Sequence, residues 1–169
     1  MVSGMETTGA RPEDLDPAQQ LRELERAEAL PYVVYPKTPG WYMPAMGLVL
    51  AGFVGAFSLA GKPVFPLVIA LVVVFEALVL GLVKSRYGAF PSPGPSAPPE
   101  IRSAYKRCIV GLAIVAVVVA LVWWGAGPLV AAAVTFGLVT AGLAIYESHY
   151  AGMAALARER LGIQDGDAA

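Results

Sequence analysis

Four apolar runs, at about residues 43–60, 64–83, 108–125 and 128–146, each hold 18 to 20 residues, and the only charged side chain in any of them is that of Glu76. Wound as a helix rising about 1.5 Å per residue, such a run crosses the roughly 30 Å hydrocarbon layer of a bilayer. A single water-soluble core built from 169 residues cannot hide this much apolar surface. The sequence therefore reads as an all-α membrane protein with four transmembrane helices.

Composition sharpens that reading. Charged residues are only 15% of the chain, against about 25% in an average soluble domain. The deficit is confined to the four runs, and the rest of the chain carries an ordinary density of charge. A net charge of -1 gives no broad attraction to a polyanion, so no nucleic-acid partner is expected. The single cysteine, Cys108, excludes an intrachain disulfide, and the single histidine, His149, excludes a histidine-based metal cluster. No Gly-rich phosphate loop, GxSxG elbow, HExxH helix or paired-carboxylate arrangement occurs. The expectation is accordingly no cofactor, no metal and no catalytic residue. Glu6, Arg11, Glu13, Asp14 and Asp16 crowd the N-terminus, which does not suit a cleaved signal peptide.

Orientation follows from the basic residues, which favour the cytoplasmic ends of spans. Arg11, Arg22, Arg26 and Lys37 precede the first run, Lys84, Arg86, Arg102, Lys106 and Arg107 lie between the second and third, and Arg158 and Arg160 follow the fourth, whereas Lys62 stands alone on the other side. Both termini are thus expected in the cytoplasm. Trp41, Tyr42, Tyr105 and Tyr146 then mark the inner interface, and Trp123 and Trp124 the outer one. The turns Gly61-Lys62-Pro63 and Gly125-Ala126-Gly127 are short enough to make two antiparallel hairpins, 43–83 and 108–146.

Around these hairpins, residues 1–15 read as disordered, and 16–42 as a cytoplasmic helix followed by an aromatic and proline-rich lead-in. Asp16-Pro17 is a helix start, and Leu21, Leu24, Ala27 and Leu30 share one face of a helix expected to end at Pro31 and to lie against the membrane or a partner. The 84–107 connection contains Pro91, Pro93, Pro95, Pro98 and Pro99, a composition that favours extended chain and suits a tether. Over 147–169 the fourth helix is expected to continue past His149 to Arg160 before Gly162, with a disordered tail from 164.

In lipid, helices associate by close packing, which small residues permit. Gly47, Ala51 and Gly55 form such a seam on the first span, and Ala133, Gly137 and Ala141 form another on the fourth. These seams serve either intrachain packing, the simpler use, or an oligomeric contact. The second and third spans, rich in Val, Leu and Ile, suit the perimeter.

Glu76 is the most informative single residue, since a carboxylate near midplane is costly unless neutral, paired or functional. Counted from Val64, it lies roughly 18 Å into the span, at about the depth of Thr140 on the fourth. Three readings stand in order of preference: a protonated acid hydrogen-bonded to Thr140 or a carbonyl, a contact to a cationic or hydroxyl group on another subunit, and a proton or cation site. At the inner interface, Tyr146, Glu147, His149 and Tyr150 read as an aromatic anchor with one solvated charge, because Glu147 and His149 do not share a helix face while Tyr146 and Tyr150 do. Lys84, Arg86, Arg102, Lys106 and Arg107 form a basic belt whose simplest partner is anionic lipid.

The lead-in over residues 35–44, with Tyr35-Pro36, Thr38-Pro39, Trp41-Tyr42 and Pro44 ahead of an Ala/Gly/Val-rich span, resembles small uncharacterised multi-pass membrane proteins of actinobacteria. An alanine-rich composition with more arginine than lysine points the same way. The resemblance implies a bacterial plasma membrane and no activity. The functional expectation is a non-catalytic accessory or scaffold subunit of a membrane assembly, in contact with lipid and with an integral-membrane partner or further copies of itself. A small homo-oligomeric transporter or channel using Glu76 is the alternative, and an enzyme on a lipid-linked substrate the third.

Overall fold

The computed structural model describes residues 16–34, 38–87, 94 and 97–163, and every regular element among them is helical. They are α1 (Pro17–Val33), α2 (Tyr42–Ala56), a single 3-10 turn (Phe57–Leu59), α3 (Phe65–Tyr87), α4 (Pro99–Ala126) and α5 (Pro128–Leu161). Four of these, α2 with its 3-10 extension, α3, α4 and α5, are long and apolar enough to cross a membrane. The chain is a multi-pass membrane protein. The segments expected to be disordered, 1–15 and 164–169, lie outside the described residues, as do Pro91, Pro93 and Pro95 of the tether.

Helix boundaries differ from expectation where proline was read as a stop. α1 runs through Pro31 to Val33, because proline removes one N–H but still adopts helical φ, and the Val34 N–H donates to the Leu30 carbonyl beyond it. The lead-in is already helical from Tyr42, with Pro44 in the first turn, where its missing N–H costs nothing. The 84–107 connection is shorter than expected: α3 continues to Tyr87, and α4 starts at Pro99, a favoured first helical residue. The fourth span does run on to Leu161, ending at Gly162 in the left-handed conformation.

Between α4 and α5 a single residue reverses the chain. Gly127 has φ 87° and ψ 171°, a region essentially restricted to glycine, and Pro128 starts the next helix.

The spans form an open row in the order α3, α2, α5, α4: α2 and α5 make the principal contact, with α3 packed chiefly on α2 and α4 chiefly on α5. The Val-rich and Leu-rich second and third spans therefore occupy the two edges. Along α2, Gly47 lies against Thr140 and Phe136, and Gly55 against Ala132, so the two inner helices run antiparallel. A Cβ on Gly47 would collide with Thr140 Oγ1 and come within 3.1 Å of the Phe136 carbonyl oxygen. The hydrogen in that place is directed at both oxygens, a Cα–H···O arrangement common where helices approach closely. On its other side α2 meets α3 at Gly52, where a Cβ would be 3.0 Å from a Val72 methyl.

At the end of the spans that carries the chain termini, the last third of α5 holds α1 and the start of α4. Ala29 and Val33 pack with Ala157 and Ile163, and Tyr32 packs with Ala97, Ile101 and Ala154. Arg158 donates to the Val33 carbonyl, and Arg160 bridges Glu25 and Glu100 at 2.8 and 3.1 Å. The intrachain contact of α1 is thus formed by its last turn against α5, while Leu21 and Leu24, on the face expected to meet the membrane or a partner, are exposed.

Gly47→Ala should destabilise the bundle by roughly 1–3 kcal/mol through overpacking. Thr140→Ala in the same chain should recover most of that loss, read as the thermal unfolding midpoint in detergent. A Gly47→Ala protein that melts like the wild type would contradict the close α2–α5 approach.

Candidate functional site

α2 and α4 both pack on α5, and at the turn end Phe57 of the 3-10 turn meets Trp123 of α4 edge to face at 5.5 Å. Toward the other end a groove of about 560 Å³ along α5 separates α2 from α4. This size falls within the roughly 300–1,000 Å³ of ligand-binding cavities. Met46 and Leu50 line it from α2, Cys108, Leu112 and Val115 from α4, and Leu138, Val139 and Leu143 from α5. Its polar groups gather at one end, where Tyr42, Arg107, Tyr146 and His149 surround the mouth.

Arg107 Nη1 lies 2.9 Å from His149 Nε2, so Arg107 donates to an imidazole whose Nε2 is unprotonated. Among the described residues Arg107 makes no ion pair. Tyr146 and Tyr150 face each other with ring centroids 6.0 Å apart, one helical turn along α5, and the Tyr150 hydroxyl donates to the Tyr32 carbonyl at 2.8 Å. His149 and Tyr146 thus sit on a helix held from both ends, by α2 on one side and by α1 on the other.

Glu147 is not a solvated charge. Its two carboxylate oxygens accept from the Thr38 backbone N–H at 3.0 Å and the Thr38 hydroxyl at 2.8 Å, which pins the lead-in where the chain enters α2. A negative group there also complements the positive end of the α2 dipole. The sequence offered no local signal for this clamp, because its two residues are 109 positions apart.

Glu76 is half-buried on the stripe of α3 that carries Val72, Val79 and Val83, the stripe facing α2. Its expected partner, Thr140, is on the far side of α2, and the Thr140 hydroxyl oxygen is buried against Gly47 without a hydrogen bond. The Glu76–Thr140 bond is therefore not formed, because α2 separates the two helices at equal depth. Glu76 makes no hydrogen bond or ion pair with any described residue.

The small-residue seams fare differently. Gly47, Ala51 and Gly55 face α5, with Gly47 and Ala51 buried. Ala133, Gly137 and Ala141 do not meet them: all three are exposed, and the face of α5 that packs carries Ala131, Ala132, Thr135, Phe136, Val139 and Thr140. The basic belt is divided, with Lys84 and Arg86 at the end of α3 on one edge of the row and Arg102, Lys106 and Arg107 on α4 at the other. All five are exposed. No group of three or more His, Cys, Asp or Glu side chains suited to a metal occurs among the described residues.

Glu147→Ala should cost about 1.5–3 kcal/mol, the range for hydrogen bonds to a charged group, with Glu147→Gln losing less because its amide oxygen still accepts. The check is denaturant unfolding in nanodiscs, and equal stability of both variants with wild type would remove the clamp. The chain matches no known protein-family model, no curated protein sequence and no solved structure.

Proposed function

We propose that this protein is a non-catalytic accessory or scaffold subunit of a membrane assembly, oriented with both termini in the cytoplasm of a bacterial plasma membrane. The observation that carries the reading is Glu76, an intramembrane carboxyl group with no hydrogen-bond or ionic partner among the described residues. Burying such a group in hydrocarbon is costly, and a donor from another chain relieves that cost. α3 is an edge helix that packs chiefly on α2, and Glu76, only half-buried beside that contact, keeps part of its side chain accessible to a neighbour docked along α3.

The orientation rests on the distribution of lysine and arginine, with Lys62 alone at the turn end. A conducting role for Glu76 receives less support, since Val72, Val79 and Val83 continue its stripe and supply no polar route.

Extraction from the native membrane into polymer-bounded discs should retain a second integral-membrane chain at fixed stoichiometry. Glu76→Leu should reduce its retention about tenfold or more, as loss of roughly 1.4 kcal/mol requires, and Glu76→Gln, which still hydrogen-bonds, should reduce it less. A strictly single-copy protein, or retention indifferent to Glu76→Leu, would sink the proposal. Cation flux in proteoliposomes abolished by Glu76→Gln would replace it with the transport reading.

A further inference from the structure

We infer that the groove between α2, α4 and α5 is a binding site for one anionic phospholipid, with an acyl chain along α5 and the phosphate at Arg107 and His149. The inference requires only that the helices span a bilayer, and it is independent of any protein partner at Glu76.

Three features of the groove fit that occupant. The first is its polarity: the walls are aliphatic, and the polar side chains are confined to one end, the pattern an amphiphile needs. A soluble metabolite would leave the aliphatic walls unmatched, and a purely apolar ligand would leave the mouth unmatched.

The second is depth. From His149 at the mouth to Leu138 at the far end, α5 advances about 16 Å at 1.5 Å per residue. One leaflet of hydrocarbon is about 15 Å deep, half of the roughly 30 Å layer. The groove thus accommodates a chain from the headgroup level to the midplane, in the leaflet on the side of the termini.

The third is charge. Arg107 is exposed, unpaired with any carboxylate among the described residues, and 2.9 Å from His149 Nε2, so its guanidinium presents remaining N–H donors beside the imidazole, whose own donor is then Nδ1–H. A phosphodiester accepts from both, in the manner of other arginine–phosphate contacts. Arg158 and Arg160, by contrast, are taken up by the Val33 carbonyl and by Glu25 and Glu100.

The wall also contains two glycines that no helix contact demands. Gly111 on α4 and Gly142 on α5 both line the groove, and a Cβ at either would meet nothing within 4 Å. Gly47 is small because α5 touches it; these two border open space. Larger side chains there would fill the groove without displacing a neighbouring helix.

The test measures lipid retention by native mass spectrometry of the full chain in detergent, titrated with phosphatidylglycerol or phosphatidylcholine. Wild type should hold one phosphatidylglycerol in preference to phosphatidylcholine. Arg107→Gln should weaken phosphatidylglycerol about fivefold or more, the effect of one basic residue at an anionic headgroup. Gly142→Leu should abolish the single tight site while leaving the far-ultraviolet helical signal and the melting midpoint near wild type. Lys84→Gln with Arg86→Gln, at the opposite edge of the row, should leave that site unchanged. Equal retention of the two lipids, an unaffected site in Gly142→Leu, or an equal loss in the α3 double variant would each overturn the inference. If Gly142→Leu fails to fold, Gly111→Val, which fills the same groove from α4, gives the deciding measurement.

Discussion

Of the described glycines, Gly47 on α2 is the most tightly enclosed, against the Thr140–Phe136 turn of α5, and the positions of the other spans follow from that contact. Hydrocarbon solvates Leu and Val side chains as well as a neighbouring helix does, so apolar burial gives little reason for one arrangement over another. Backbone proximity does, since dispersion and Cα–H···O contacts fall off steeply with distance. With α2 and α5 joined in this way, α3 is tethered to α2 by the short turn after Leu59, and α4 to α5 by Gly127 alone. The edge helices therefore need no specific seam of their own. Their exposed leucines and valines are solvated by lipid, and the most apolar stretch of α4 contains no buried residue.

The same helix that anchors the row also organises the residues beyond it. α5 has 34 residues, about 50 Å at 1.5 Å per residue, which exceeds the bilayer core by several turns. Its surplus length is where burial by water exclusion resumes, and there Ala154 and Ala157 gather Tyr32, Val33 and Ile101 around them. Two different driving forces thus act on one continuous helix, close packing in lipid and apolar burial beyond it. Tyr150 stands at the junction, its ring tilted against Tyr146 on the groove side and its hydroxyl bonded to the α1 backbone on the other.

The spans were legible in the sequence because hydropathy and charge agree on their limits, and the continuation of α5 to Gly162 was legible because nothing earlier interrupts it. The seam on α2 was readable for a similar reason, since Gly47, Ala51 and Gly55 stand out among larger neighbours. On α5 the pattern is degenerate. Ala131, Ala132, Ala133, Gly137, Ala141 and Gly142 put small residues on nearly every face, so four-residue spacing does not single out the one that packs. Neither the Thr38–Glu147 clamp nor the groove was visible, because each joins segments far apart in the chain and depends on which helices diverge. Prolines misled at Pro31 and Pro99, both near helix ends where the lost N–H bond is absent or minor.

Glu76 and Arg107 pose opposite electrostatic problems, and the row keeps them apart. The carboxyl group lies deep on α3, where only neutralisation or a donor from another chain offsets its desolvation. The guanidinium lies on α4 just ahead of its apolar stretch, where it reaches the headgroup layer without leaving water. Two helices, α2 and α5, stand between them, so neither charge serves as the other's counter-ion. Sites this far apart with no shared contacts contribute nearly additively. A neighbour docked along α3 would therefore leave the groove mouth between α2 and α4 open to lipid, and a lipid held there would leave the α3 face free. Each edge of the row can then meet its own surroundings without repacking the Gly47–Thr140 contact at its centre.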